Sequence, residues 1–129
     1  MSVTPVDLLN CADAVCAGDE AHRRTTAGRS YYAAYHDSCS WQQGGHSPDQ
    51  PKNKDGSLVR GMHRAFIEGL IAPHMSNPVE WRRKSTQRGV LLRALHAIRV
   101  EADYELSGDF SAERACKAIV DARAIMAIG

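Results

Sequence analysis

Aromatic residues are few, 6% of 129 positions, and no stretch of about 18 consecutive apolar residues occurs. No segment is therefore expected to cross a membrane. Charge of one sign is also lacking. The formal net charge is +1, which argues against a wholly basic, histone-like binder of nucleic acid and against an acidic tail protein. Cysteines are four, Cys11, Cys16, Cys39 and Cys116, and none forms a CxxC pair. Residues 1–10 contain no Lys or Arg and no apolar run followed by small residues, so a secretory signal is not expected. The expected state is four reduced thiols in a cytoplasmic protein, with Cys11 and Cys16 as small apolar groups on a helix. There is no P-loop, no GxGxxG, no HExxH and no GxSxG. None of the six histidines stands in a Glu-x-x-His pair of the kind that bundle di-metal sites use. No cofactor is expected.

The composition is that of a globular chain, 43% hydrophobic and 24% charged, and the length fits one domain over residues 1–129. Proline placement divides it. Thr4-Pro5 reads as a helix start, and Gly18 ends that helix. A second helix is expected from Asp19 or Glu20 to about Trp41. Gln43 to Gly56 is polar and rich in glycine and proline, a long loop. Leu58, Met62, Phe66 and Leu70 recur every four residues and predict a third helix. Asn77-Pro78 reads as the cap and first residue of a fourth, reaching about Leu106. Leu91, Leu95, Ile98 and Ala102 form its apolar stripe, and Gly89 is a mild weakness within it. Ser111 caps a fifth helix with Ala115, Ile119, Ala122 and Met126 on one face. No alternating strand pattern competes. The expected fold is all-α, an antiparallel up-and-down bundle of about five helices.

The near-zero net charge is an average. Residues 60–99 carry eight Lys/Arg and two Asp/Glu, a net +6, between flanks of −2 and −3. The block includes Arg60, Arg64, Arg82, Arg83, Lys84, Arg88, Arg93 and Arg99. It can attract phosphates, or it can be a solvated face with counter-charges elsewhere.

One segment concentrates chemistry: Gly28-Arg29-Ser30-Tyr31-Tyr32-Ala33-Ala34-Tyr35-His36. Arg29 and His36 are seven apart, two helical turns, and so share a face about 10.5 Å apart along the axis. Arginine is a permanent cation suited to a phosphate. Histidine titrates near neutrality and can give or take a proton. Together they suit RNA cleavage without a metal. Spacing alone favours the plainer alternative, in which Arg29 pairs with Asp103 or another acid and His36 is an ordinary core or surface histidine. Tyr31, Tyr32 and Tyr35 can stack on bases or serve as packing groups. His96, Arg99 and Asp103 share a face of the fourth helix. They either buttress the motif helix, with Asp103 orienting Arg29 or His36, or make an ion pair within their own helix.

Arg29 to His36 resembles the signature of the HEPN superfamily, in which Arg is followed by four to six residues and then His. The resemblance continues at Leu95, at Arg99-Val100-Glu101-Ala102-Asp103-Tyr104 and in the terminal helix, and spans roughly residues 10–128. It implies a helical bundle that dimerises through the motif helix. It further implies a metal-independent endoribonuclease acting as a toxin or in phage defence, in some cases paired with a nucleotidyltransferase antitoxin. Carried over, Arg29 stabilises the scissile phosphate and His36 transfers protons, with the ribose 2′-hydroxyl as nucleophile and Ser30 assisting. Tyr32, Arg82, Arg83 and Lys84 are the expected RNA contacts. Arg99, Asp103 and Tyr104 are the expected supports. Ser30 stands where the family often has Asn, Asp or His, and the six-residue spacer is at the upper limit of the pattern. The rival reading is a non-catalytic HEPN-like module that binds a nucleotide, RNA or a partner antitoxin.

Overall fold

The computed structural model describes residues 4–7, 9–10, 19–43, 53–55, 57 and 61–129. Cys11, Cys16, the Gly18 helix end, Leu58 and most of the 43–56 loop lie outside them. Four helices follow a helical segment at 5–7 and 9–10: α1 (Glu20–Gln42), α2 (Met62–Ile71), α3 (Val79–Tyr104) and α4 (Ala112–Met126). No strand occurs among the described residues. Three starts are set by local polar groups. Asp7 N–H donates to Thr4 Oγ1 at 3.1 Å while Thr4 N–H donates to Asp7 Oδ2 at 3.0 Å, a reciprocal cap. Asp19 accepts from His22 N–H at 3.0 Å, and Ser111 accepts from Arg114 N–H at 3.2 Å.

The helices form the expected all-α up-and-down bundle. α1 lies against α3 and α4, α3 also touches α4, and α2 packs on α3. Small residues bring α1 and α4 together: Ala27, Ala33 and Ala34 face a core shared with Ala115, Ala118 and Ala122, all fully enclosed. Tyr31, Leu92, Leu95, Ile98, Phe110 and Ile125 fill the rest. No helix among the described residues is long and apolar enough to cross a membrane.

Polar side chains join the elements. Arg24 sits at the C-terminal end of α3 and donates to the carbonyls of Ala102 at 2.8 Å, Glu105 at 3.2 Å and Gly108 at 2.6 Å. A cation there satisfies carbonyls that have no helical partner and opposes the negative end of the helix dipole. Glu20 accepts from Phe110 N–H at 3.0 Å and pairs with Arg24 at 2.9 Å, so the turn into α4 is fastened to the start of α1. At the other end of α3, Ser85 donates to Leu70 O at 2.7 Å and Thr86 to Ile71 O at 2.9 Å, which completes the last turn of α2.

Several expectations change. α3 begins at Val79, one residue later than expected, with no side-chain cap. Asn77 is buried and donates instead to His74 O at 3.1 Å. Met62 is 75% exposed; Ile67, Gly69 and Leu70 are the buried residues of α2. Arg88, counted in the basic block, is 2% exposed and pairs with Asp37 at 2.9 Å. Gly89 is a contact rather than a weakness. A Cβ there would lie 2.6 Å from Ile71 Cγ1 and 2.8 Å from Ile71 N. Gly to Ala in a helix ordinarily stabilises by about 1 kcal/mol. Here backbone blocks the added methyl, so Gly89→Ala should lower stability by about 1–3 kcal/mol. Urea unfolding measures the sign, and a gain would show that α2 can move away freely.

Candidate functional site

The motif lies on α1, between α3 and the N-terminal turn of α2. Tyr31, fully buried, is its centre. Its ring lies 5.7 Å from Tyr32, 5.9 Å from Tyr35, 5.6 Å from His63 and 5.1 Å from His96. His36 is exposed. It stacks on Tyr32 with ring centroids 6.2 Å apart and meets Tyr35 edge-on at 5.5 Å. His63, from α2, lies against the same two tyrosines, 6.1 Å from Tyr32 and 4.4 Å from Tyr35. Two imidazoles from different elements therefore border one tyrosine pair.

Arg99 reaches this ledge from α3. Its guanidinium lies 5.4 Å from the Tyr32 centroid and 5.9 Å from that of Tyr31, and Nη2 donates to Tyr32 Oη at 3.2 Å. Its Nε lies 2.9 Å from Asp103 Oδ2, an ion-pair contact whose angle falls short of a hydrogen bond. Arg99 thus fixes the Tyr32 ring, and Asp103 fixes Arg99.

Burial, then Arg99, then His36 pull the His63 pKa below its ordinary 6.5. Burial, then Arg99, then His63 do the same to His96. Both are neutral at pH 7. Burial raises the Tyr31 phenol far above its ordinary value, so it keeps its proton. The Tyr31 hydroxyl and His63 Nδ1 are 2.8 Å apart. A buried phenol must place its hydrogen, so Tyr31 donates to Nδ1 and the His63 proton is assigned to Nε2. The ledge combines the exposed His36 imidazole, a neutral imidazole donor and a permanent cation. Among the described residues no three His, Cys, Asp or Glu side chains are grouped so as to hold a metal ion.

The structure brings Tyr32, His36, Arg99 and Asp103 together. Arg29 is half-buried on α1 and has an interaction within the chain. Ser30 is fully enclosed and its Oγ has no hydrogen bond among the described residues. Tyr31 and Tyr35 are buried and offer no open face to a base; Tyr32 is half-buried. Tyr104 is 70% exposed at the end of α3. Arg82, Arg83 and Lys84 lie at the opposite end of α3, about 22–26 Å along the axis from Arg99. Arg82 donates to Asn77 O at 3.0 Å and Arg83 pairs with Glu80 at 2.6 Å. His63 was not singled out by the sequence, because nothing local links it to a motif 32 residues earlier. Cys39 and Cys116 are free thiols, and burial pushes the Cys39 thiol up, away from reactivity.

Compared with family models, curated proteins and solved structures, the chain matches none. The HEPN resemblance therefore rests on the residues quoted above.

The two depressed histidines give stability a pH dependence. Below 6.5 the unfolded chain binds protons that folded His63 and His96 resist, so stability falls as pH drops through 6.5. The carboxylates held low, Asp7, Asp19, Glu20, Asp55 and Glu80, act only below their ordinary 3.8 to 4.5. The urea midpoint should therefore drop between about pH 7.5 and 5.5, and the drop should be smaller in His63→Gln/His96→Gln. An equal drop in the double variant would assign the effect to other groups.

Proposed function

We propose that the chain is a metal-independent endoribonuclease, a toxin or phage-defence effector that works as a homodimer. What supports this most is one observation: the exposed His36 ring stacked on Tyr32, beside Arg99 and a neutral His63. In the proposed reaction the ribose 2′-oxygen forms a bond to phosphorus as its proton passes to His36. The bond from phosphorus to the 5′-oxygen breaks, and that oxygen takes a proton in return. The products are a 2′,3′-cyclic phosphate and a 5′-hydroxyl. Arg29 and Arg99 are the cations available to the charge that builds on the phosphoryl oxygens. A nucleotidyltransferase-type antitoxin is the proposed protein partner.

Enclosure of Ser30 and the axial separation of Arg29 from His36 favour a second reading, a module that binds RNA, a nucleotide or an antitoxin without cleaving. Purified protein incubated with RNA in excess chelator separates the two. Cleavage leaving cyclic-phosphate ends, lowered about 100-fold or more by His36→Ala, is expected of the nuclease. Expression should arrest growth, and Arg29→Ala should relieve it. RNA retained intact by the wild-type chain would favour the binding module, and cleavage that survives His36→Ala would remove the mechanism.

A further inference from the structure

A second group of cations lies in a cleft between α2 and α3 that shares His96 with the tyrosine ledge. The cleft has a volume of about 200 Å³ and is lined by Arg64, Ile67 and Glu68 of α2 and by Arg93, His96 and Ala97 of α3. That is far more than the ~10–15 Å³ that admits one water. Among the described residues Arg64 has no hydrogen-bond or ion-pair partner. Arg93 is only loosely held, with Nη1 3.8 Å from Glu68 Oε1, beyond hydrogen-bond distance. Two guanidinium groups thus answer a single carboxylate. Ile67, 2% exposed, and Ala97 give the cleft apolar walls, where charge interactions are less screened than in open water.

We infer that this cleft binds a phosphate group of a ribonucleotide, with Arg64 and Arg93 as the clamp and His96 as a third donor. Guanidinium groups offer paired donors that suit phosphate oxygens. The centroid of the His96 ring lies 5.1 Å from that of Tyr31 and 6.3 Å from that of His63. The cleft therefore adjoins the tyrosine ledge through His96, and on the RNA reading its phosphate belongs to the strand that is cut at His36. The strand as source rests on the RNA reading above; the affinity for phosphate does not. A free nucleotide carries the same chemistry.

The His96 ring protons, followed by NMR in the full chain, report the site directly. Inorganic phosphate and adenosine 5′-monophosphate should each shift them saturably and raise the His96 pKa, because a neighbouring anion favours the imidazolium. Arg64→Gln and Arg93→Gln, both at exposed positions, should each weaken binding about tenfold. A His96 signal indifferent to phosphate in the wild-type chain overturns the site, as does unchanged affinity in the double variant. A short RNA with 2′-deoxy linkages, which cannot be cleaved through the ribose, separates the sources. Tighter binding than the mononucleotide, lost in the double variant, is expected; strand binding indifferent to both arginines overturns the strand and leaves a nucleotide site. Because neither probe requires turnover, a chain that binds phosphate but cuts no RNA fails the nuclease reading alone.

Discussion

Tyr31 carries a hydroxyl to a place that water does not reach. With no exposure at all, that group must find a partner or cost about 1–3 kcal/mol. His63 Nδ1, 2.8 Å away, is the partner. The bond fastens the N-terminal turn of α2 to α1, although α2 packs chiefly on α3. It also decides the chemistry of His63: accepting at Nδ1 leaves the proton on Nε2, and burial keeps the ring neutral. The Tyr31 ring then spaces everything around it, with Tyr32, Tyr35, His63 and His96 all between 5.1 and 5.9 Å from its centre. The ledge under His36 is thus held by the core of the bundle rather than by loops, which is the arrangement that keeps functional groups in place.

The basic middle of the chain divides by role once it is folded. Arg88 points inward, donates to Asp37 and to Ser38 at 3.1 Å, and lies 5.0 Å from the Trp41 ring, itself stacked on Trp81 at 4.6 Å. A buried guanidinium in that position is a structural tie, because an uncompensated buried charge is strongly destabilising. Arg99 holds Tyr32. Arg83 is matched by Glu80. Among the described residues the net +6 therefore does not form a continuous stripe, and Lys84, near the start of α3, and Arg64 with the loosely held Arg93 remain open to an anion.

Much of the fold was legible because its signals are local. Thr4 with Asp7, Asp19 and Ser111 cap where their side chains say they should, and of the Leu91, Leu95, Ile98, Ala102 stripe all but the half-buried Leu91 are buried. What was not legible depends on contacts between distant segments. Gly89 reads as a flaw in a helix until Ile71 is found against it. Arg88 reads as a surface charge until Asp37 is found beside it. Tyr31, Tyr32 and Tyr35 read alike in sequence, yet the turn of α1 buries two and leaves only Tyr32 partly open. The candidate site divides in the same way. Arg99 and Asp103, four residues apart, were a local expectation; the approach of His63 to Tyr35 was not.

Seven residues of helix hold Arg29 and His36 about 10.5 Å apart along the axis, and no rotation of α1 changes that. The gap can be filled by a second copy or by other elements of the same chain. The same chain supplies candidates: α3 brings the Arg99 guanidinium over Tyr32, the ring on which His36 stacks, and α2 brings a second imidazole to that ring. A cation and two imidazoles therefore border one tyrosine within a single chain. Neither of these elements brings a second Arg29 to the ring.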